Sequence, residues 1–309
     1  MSWSSDESVT SDAFRIEKIL ASHRLDCRNP AKTNTGFRNE VWLTDDYAVK
    51  RYGKENRSGL LKEQWYYTHT QSTHIPALIA SGEDYMILER IHGMGLFRLW
   101  RDMTDREREN TVAEIAEIIR EVNAVDWHSE AEIFRISDHY GRDLLTQIEK
   151  TTAALTETGG IHPELADRVM VYARQNIHVL DNAELYTVYN DLHFDNLIVT
   201  ENGRITLIDY EMLNAAPRDL VLDVWQRMLI HPFTYANEDD HELTVPEDYA
   251  LILRWLKQYA PELFEHPHVR ERVNLYGIAY ELHLLMDYPL AEWPMERLNQ
   301  YLDGLDWKL

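Results

Sequence analysis

The stretch "YNDLHFDNLIV", residues 189 to 199, brings together side chains that could act on a charged ligand. Asp191 and Asn196 lie five positions apart, directly before the apolar run 197–199. Carboxylate and amide oxygens are ligands that Mg²⁺ accepts. A carboxylate can also take the proton of a hydroxyl group. The polar loop before this short strand is therefore a candidate site.

A second apolar run, 205–208, follows the dipeptide Asn202-Gly203 and ends at Asp209. Asn-Gly is a strong signal for a two-residue hairpin turn. A tight hairpin places the residue leaving its second strand beside the residue entering its first. We therefore expect Asp209 to lie near Asn196, with Asp191 close by. The predicted roles are Mg²⁺ binding for Asn196 and Asp209, and orientation or deprotonation of a hydroxyl for Asp191.

The elements before residue 93 are short and rich in strands. Alternating stretches at 37–44, 47–53 and 76–90 predict strands, and helices are expected over 11–24 and 58–71. Residues 1–12 are polar and are predicted to form a loose tail. A small β-rich lobe over 13–92 follows from this pattern.

The chain after Gly93-Met94-Gly95 is mostly helical. Thr104 and Glu107 form a capping box that starts a helix over 104–125. Further helices are expected over 138–157 and 162–180 and beyond Pro217. The prediction is an α+β chain whose second lobe, 93–309, is helical with one embedded hairpin. A cleft between the lobes would be the natural ligand site.

Composition excludes several classes of protein. The 309 residues include 31 basic and 53 acidic side chains, a formal charge of −22, which should repel nucleic acid. No apolar run is long enough to span a membrane. Cys27 is the only cysteine, and the polar start lacks the apolar segment of a signal peptide, so a cytoplasmic location is expected.

The motifs resemble those of a known family. Asp191-Leu192-x-x-x-Asn196 has the spacing of the kinase catalytic loop, and Ile208-Asp209-Tyr210-Glu211 resembles the metal-binding segment that follows it. The combination "NDLHFDNLIV…GRITLIDYE" is more similar still to the aminoglycoside phosphotransferase and choline kinase-like family. The resemblance covers roughly residues 30 to 225. It implies a two-lobed protein kinase-like fold and an ATP-dependent phosphotransferase that uses Mg²⁺.

The resemblance also implies roles in the N-terminal lobe. Lys50 matches the strand lysine that holds the α- and β-phosphates, and Glu63 matches the glutamate that pairs with it. Gly36 is the single glycine where the phosphate-covering turn would stand. In "YMILERIHG", Glu89 and Ile91 would offer backbone groups to adenine.

The sequence departs from the family pattern at Tyr189, where a histidine that braces the catalytic loop is usual. Either Asp219 or Asp223 resembles a downstream aspartate that supports this loop, and the register leaves both open. His193 is interpreted as a packing residue of the loop. Other histidines do not have the spacing of a zinc site.

The short segment between Asp209 and Pro217 narrows the class of molecule that could accept the phosphate. Protein kinases insert a long activation segment here that holds a peptide, so a small-molecule hydroxyl acceptor is favoured over a protein. The acidic charge is compatible with a cationic acceptor such as an aminoglycoside or an amino alcohol, and a sugar-like acceptor is also open. A catalytically silent pseudokinase is the alternative, although the lysine, both aspartates and the asparagine are present.

Overall fold

The computed structural model of the chain describes residues 5–33, 39–134, 139–230, 245–289 and 291–304. Two compact units can be distinguished. The first unit consists of Met1–Met94 and Leu197–Met212, and the second unit of Gly95–Asn196 and Leu213–Leu309. The hairpin predicted in the helical part thus groups with the N-terminal sheet. The predicted fold class, α+β with a small antiparallel N-terminal sheet and a larger helical part, is confirmed.

Short strands are frequent before residue 96, and helices dominate the chain after it. The helices of the described residues are α1 (Ser5–Ser22), α2 (Arg57–His69), α3 (Leu96–Trp100), α4 (Asp105–Asn123), α5 (Ala131–Phe134), α6 (Tyr140–Thr158), α7 (Pro163–Asn176), α8 (Val221–Ile230), α9 (Ile252–Tyr259), α10 (Val269–Asp287) and α11 (Glu292–Asp303). The strands are β1 (Ala31–Lys32), β2 (Asn39–Leu43), β3 (Tyr47–Tyr52), β4 (Leu78–Ser81), β5 (Tyr85–Glu89), β6 (Gly93–Gly95), β7 (Tyr186–Tyr189), β8 (Leu197–Thr200), β9 (Ile205–Leu207) and β10 (Leu213–Ala216).

The sheet of the first unit has the strand order β1-β2-β3-β5-β4, with antiparallel neighbours throughout. Alternation along β3 separates its two faces. Val49 packs with Trp42 and with apolar residues of α1. The opposite face, which carries Tyr52, packs against Leu60 of α2. Lys50 lies on this second face, and its ammonium group contacts α2.

Helix α1 begins at Ser5, six residues before the predicted start, so residues 5–12 are helical and not a loose tail. The sequence Ser5-Asp6-Glu7 is typical of a helix start. These residues are polar, so a prediction based on the spacing of apolar residues does not include them. The other predicted helices lie close to their expected positions. Helix α4 has Thr104 as its cap with both capping-box bonds to Glu107, and α7 begins at Pro163.

The hairpin β8–β9 pairs Leu197 with Leu207, but its turn differs from the two-residue turn predicted. The N–H of Gly203 donates to the carbonyl of Thr200 at 2.8 Å. Gly203 has a φ of +81°, whereas Asn202 does not have a positive φ. A two-residue type I′ turn needs positive φ at both central residues. The loop is therefore a three-residue turn that ends in a left-handed glycine.

Strand β6 lies beside β8 in the order β6-β8-β9. A Cβ atom on Gly93 would stand 2.4 Å from the carbonyl oxygen of Val199, so only glycine permits this approach. In the second unit, β7 pairs with β10, and Tyr189 stands opposite Leu213. None of the described helices combines the length and the apolar composition needed to cross a bilayer.

Candidate active site

Lys50 stands in the centre of the first unit's sheet and faces three carboxylates. Its Nζ atom donates to Oε1 of Glu63 and, at 2.6 Å, to Oδ1 of Asp209. Oε2 of Glu211 lies 3.7 Å from the same nitrogen. The side chains of Lys50 and Glu63 are 6% and 0% exposed, so this ion pair is withdrawn from water. The structure thus brings together three of the residues singled out in the sequence, Lys50, Glu63 and Asp209.

The electrostatics of this cluster favour a charged lysine. Burial alone would lower the pKa of Lys50, but the carboxylates of Glu63, Asp209 and Glu211 outweigh it and raise that pKa well above its ordinary value. Complete burial raises the pKa of Glu63 to about 7, although the Lys50 ammonium opposes the rise. Lys50 is therefore a permanent cation, and Glu63 titrates near neutral pH.

Asp209 follows β9 with a φ of +64°, in the left-handed region that L-residues other than asparagine and aspartate seldom adopt. The next residue, Tyr210, is fully buried. Its ring stacks on Tyr66 with centroids 4.4 Å apart and meets Tyr67 edge-on at 5.7 Å. Both partners lie on α2, the helix that carries Glu63. The aromatic packing therefore fixes the segment of Asp209 relative to this helix.

Glu211 belongs to the cluster, although no separate role is predicted for it from the sequence. Asn39 and Asn56 each donate an amide N–H to Oε2 of Glu211, from Asn56 at 2.8 Å. Asn56 also donates to Oδ1 of Asn39 at 2.9 Å. The two amides are 172 and 155 positions away in the chain. The motif 208–211 is the signal in the sequence that could have identified this carboxylate.

The first unit offers oxygen donors suited to a hard cation. Ligand atoms of Glu63, Asp209 and Glu211 lie within 4.8 Å of one another. Glu63 is buried and engaged by Lys50, whereas the Asp209 side chain is 40% exposed. Carboxylate oxygens fit Mg²⁺, which keeps waters and phosphate oxygens as its other ligands. Asp209 is the carboxylate that a cation can reach from solvent.

The loop of the second unit holds Asp191 and Asn196 in contact. Nδ2 of Asn196 donates to the backbone carbonyl of Asp191 at 2.9 Å and to the hydroxyl of Tyr189 at 2.8 Å. Nε2 of His193 lies 3.6 Å from Oδ2 of Asp191. The Asp191 side chain is 37% exposed, so a ligand can reach its carboxylate. Tyr189, the departure from the family pattern, is thus a direct partner of Asn196.

Phe194 anchors this loop in the core of the second unit. It is fully buried among Trp100, Trp225 and Tyr249, with ring centroids 4.6, 5.6 and 5.7 Å away. These rings come from α3, α8 and the segment before α9. Leu192 is also buried. Alternate residues of the loop therefore bind it to the core, while the carboxylate of Asp191 remains accessible.

The residues expected to contact adenine lie at the end of β5. The N–H of Glu89 donates to the carbonyl of Ala77 at 2.8 Å, so the carbonyl oxygen is the backbone group that Glu89 can offer to a ligand. Ile91 lies in the connection between β5 and β6 and is partly exposed. Gly36, expected in the phosphate-covering turn, lies outside the described residues.

Asp219 and Asp223 are both buried and pair with side chains of helices. Oδ2 of Asp219 lies 2.9 Å from Nε of Arg272, and Oδ1 accepts from Tyr276 at 3.2 Å. Asp223 accepts from Nε of Arg227 at 3.1 Å in its own helix α8. Burial raises the pKa of Asp219 to about 6, against the opposing charge of Arg272. Asp219 thereby ties the start of α8 to α10.

Comparison with solved structures identifies the fold. The streptomycin–ATP ternary complex of APH(2'')-IIa has a TM-score of 0.67 and 15% sequence identity, covering 94% of this chain and 96% of that one. The ADP-bound aminoglycoside phosphotransferase APH(2'')-Ib has a TM-score of 0.66 and 15% sequence identity, covering 94% of this chain and 96% of that one. A Plasmodium vivax ethanolamine kinase has a TM-score of 0.66 and 14% sequence identity, covering 97% of this chain and 89% of that one. At this identity the likeness establishes a shared kinase fold.

Sequence comparison identifies the family. No curated protein matches the chain. The model of the phosphotransferase enzyme family matches residues 32–226, which is more than half of the chain. This range includes Lys50, Glu63, Asp191, Asn196 and Asp209. The chain belongs to the phosphotransferase enzyme family.

Proposed function

We propose that the protein transfers the γ-phosphate of ATP to a hydroxyl group of a small molecule. The observation that carries this proposal is the buried Lys50–Glu63 pair with Asp209 on the same ammonium group. A cation that is fixed by a buried carboxylate and still reaches an accessible one suits a polyanionic ligand. Membership of the phosphotransferase enzyme family supports the same interpretation.

Lys50 would hold phosphate oxygens of the nucleotide. Its position depends on Glu63, which is buried and contacts the ammonium directly. This pairing restricts the flexible side chain before the nucleotide arrives, so less conformational entropy is lost on binding. The carbonyl of Glu89 and the backbone of Ile91 are the groups proposed to contact adenine.

Asn196 and Asp209 are the oxygen donors that we assign to Mg²⁺. When bound, this ion would neutralise charge that develops on the phosphates during transfer. The amide of Asn196 fits the assignment because its nitrogen is engaged by Tyr189 and Asp191, which leaves the oxygen as its ligand atom. Glu211 would orient the nearby charges through its bonds to two asparagines of the first unit.

Asp191 would orient the acceptor hydroxyl and accept its proton. Its carboxylate is accessible, and the loop that carries it is held by the buried ring of Phe194. Because phosphoryl transfer has a loose transition state, correct placement of the attacking oxygen contributes more than strong basicity.

We propose a cationic acceptor, an aminoglycoside or an amino alcohol. The formal charge of −22 would attract such a molecule and concentrate it near the protein. One structural neighbour was solved with streptomycin and another is an ethanolamine kinase, and both of these small molecules carry amines and hydroxyls.

A coupled ADP-release assay with Mg·ATP tests this function. The acceptor panel would contain aminoglycosides, choline, ethanolamine, hexoses and homoserine. Asp191→Asn should lower kcat by about 10²- to 10⁴-fold for the active acceptor and leave ATP affinity within about twofold. Asp181→Asn, an exposed aspartate of the second unit, is the matched control and should keep full activity.

Two results would count against the proposal. Full turnover by Asp191→Asn would remove the role given to that residue. A wild-type protein that binds ATP, as seen by thermal shift, but releases no ADP with any acceptor would favour a silent nucleotide-binding module.

A further inference from the structure

The side-chain nitrogen of Asn196 has four polar neighbours. Nδ2 lies 2.9 Å from the carbonyl oxygen of Asp191 and 3.5 Å from its Oδ2. The hydroxyl of Tyr189 is 2.8 Å away, and Nε2 of His193 is 3.2 Å away. A carbonyl and a carboxylate oxygen can only accept hydrogen bonds. These two neighbours therefore require the nitrogen, and not the oxygen, of the amide on this side.

Tyr189 makes the shortest of these contacts and is the most rigidly held partner. It is 2% exposed and is the last residue of β7, paired with Leu213 of β10. Asp191 and His193, in contrast, belong to the same loop as Asn196 and would move with it. Among these neighbours, the phenol oxygen is the one that comes from a paired strand. It fixes the amide relative to the core of the second unit.

We infer that Tyr189 is a positioning residue for the metal ligand Asn196, in the place where the family resemblance predicts a histidine. By accepting a hydrogen bond from Nδ2, its hydroxyl would hold the amide in place, so that Oδ1 is the atom left to serve as a ligand of the divalent cation. This inference rests on the proposed function, which assigns Asn196 to Mg²⁺. The expected consequence of losing the hydroxyl is weaker cation binding, because the loop and its amide then lose their bond to the paired strand β7.

The test is metal affinity, measured without turnover. Mn²⁺ replaces Mg²⁺ as the probe, and electron paramagnetic resonance follows its binding to the protein in the presence of ADP. Tyr189→Phe removes one oxygen atom and retains the ring in its buried site. Loss of such an orienting partner typically lowers metal affinity by 10- to 100-fold, so a loss of about tenfold is expected. ADP binding in EDTA should be the same in wild type and variant.

Tyr172→Phe is the matched control, since its hydroxyl also accepts a hydrogen bond from an asparagine amide of the second unit, Nδ2 of Asn274 at 3.0 Å. It should leave Mn²⁺ affinity unchanged. Equal Mn²⁺ affinity for Tyr189→Phe and wild type would overturn the inference, and so would equal losses in both variants, which would reflect general destabilisation. A wild-type protein that binds no Mn²⁺ with ADP would instead overturn the proposed function itself.

Discussion

Removal of the Lys50 ammonium should destabilise the first unit strongly, even without any ligand. In Lys50→Met, the methylene stem is largely kept while the charge is lost. Glu63 remains fully buried, with Asp209 and Glu211 close by and without their shared cation. Loss of one partner from a buried ion pair costs about 3–5 kcal/mol, because the other charge is left uncompensated. We expect a loss of this size in the free energy of unfolding.

Adding Glu63→Gln to Lys50→Met should restore part of the lost free energy of unfolding. With both charges gone, no buried carboxylate of this pair needs a partner, and replacing a whole buried pair is often close to neutral. Asp209 is 40% exposed and can be solvated in the absence of Lys50. The double variant should therefore be more stable than Lys50→Met alone, with an interaction energy of about 2 kcal/mol between the two sites.

Urea unfolding at pH 7.5, followed by circular dichroism, measures these free energies for wild type, both single variants and the double variant. Lys32→Met provides the control, because Lys32 pairs with Glu40 at the surface and its side chain is 47% exposed. This pair should contribute at most about 1 kcal/mol. The role given to the buried pair is refuted if Lys50→Met costs no more than Lys32→Met, or if the two losses simply add in the double variant.

Three further predictions concern other parts of the chain. The pKa of Asp219 is about 6 in the folded protein, against an ordinary value of 3.8, so between these pH values the folded form keeps a proton that the unfolded form loses. As pH rises from 4 to 7, wild type should therefore lose up to about 3 kcal/mol in the free energy of unfolding relative to Asp219→Asn, measured by urea unfolding. Phe194→Ala should cost about 3–5 kcal/mol and lower turnover, whereas Phe194→Leu should retain more of both, and a turnover unchanged in the alanine variant would contradict the anchoring role. Gly203→Ala should cost about 1 kcal/mol in thermal unfolding without affecting ADP release, because alanine is strained at a φ of +81°.

Features encoded by neighbouring residues could be predicted from the sequence. The start of α4 depends on Thr104 and Glu107, three positions apart, and the start of α7 depends on Pro163. The antiparallel strands follow from alternation and turn residues. The turn of the hairpin could be predicted in place but not in type, because Asn-Gly is compatible with more than one loop and only the conformation of Asn202 decides between them.

Contacts between distant segments could not be predicted in the same way. The bonds from Asn39 and Asn56 to Glu211 join positions 172 and 155 residues apart. The aromatic site around Phe194 needs rings from three separate elements, none of which is distinguished by its local sequence. Tyr189 stands out in the sequence only as a departure from a pattern, since its bond to Asn196 depends on the path of the intervening loop.

The charge of the first unit's cluster gives a physical reason why the proposed nucleotide site would require a metal ion. One ammonium group faces three carboxylates, so the formal charge is −2 when all are ionised and −1 when Glu63 keeps its proton. A polyphosphate brought to this position meets a net negative field, even though Lys50 itself attracts it. Additional positive charge must therefore accompany the phosphates, and the exposed carboxylate of Asp209 offers it a ligand. We expect calorimetric titration with ADP to show weak binding in EDTA and tight binding with Mg²⁺, and Asp209→Asn should reduce the difference by removing both a ligand and a negative charge. Equal ADP affinity in EDTA and in Mg²⁺ would contradict this electrostatic account.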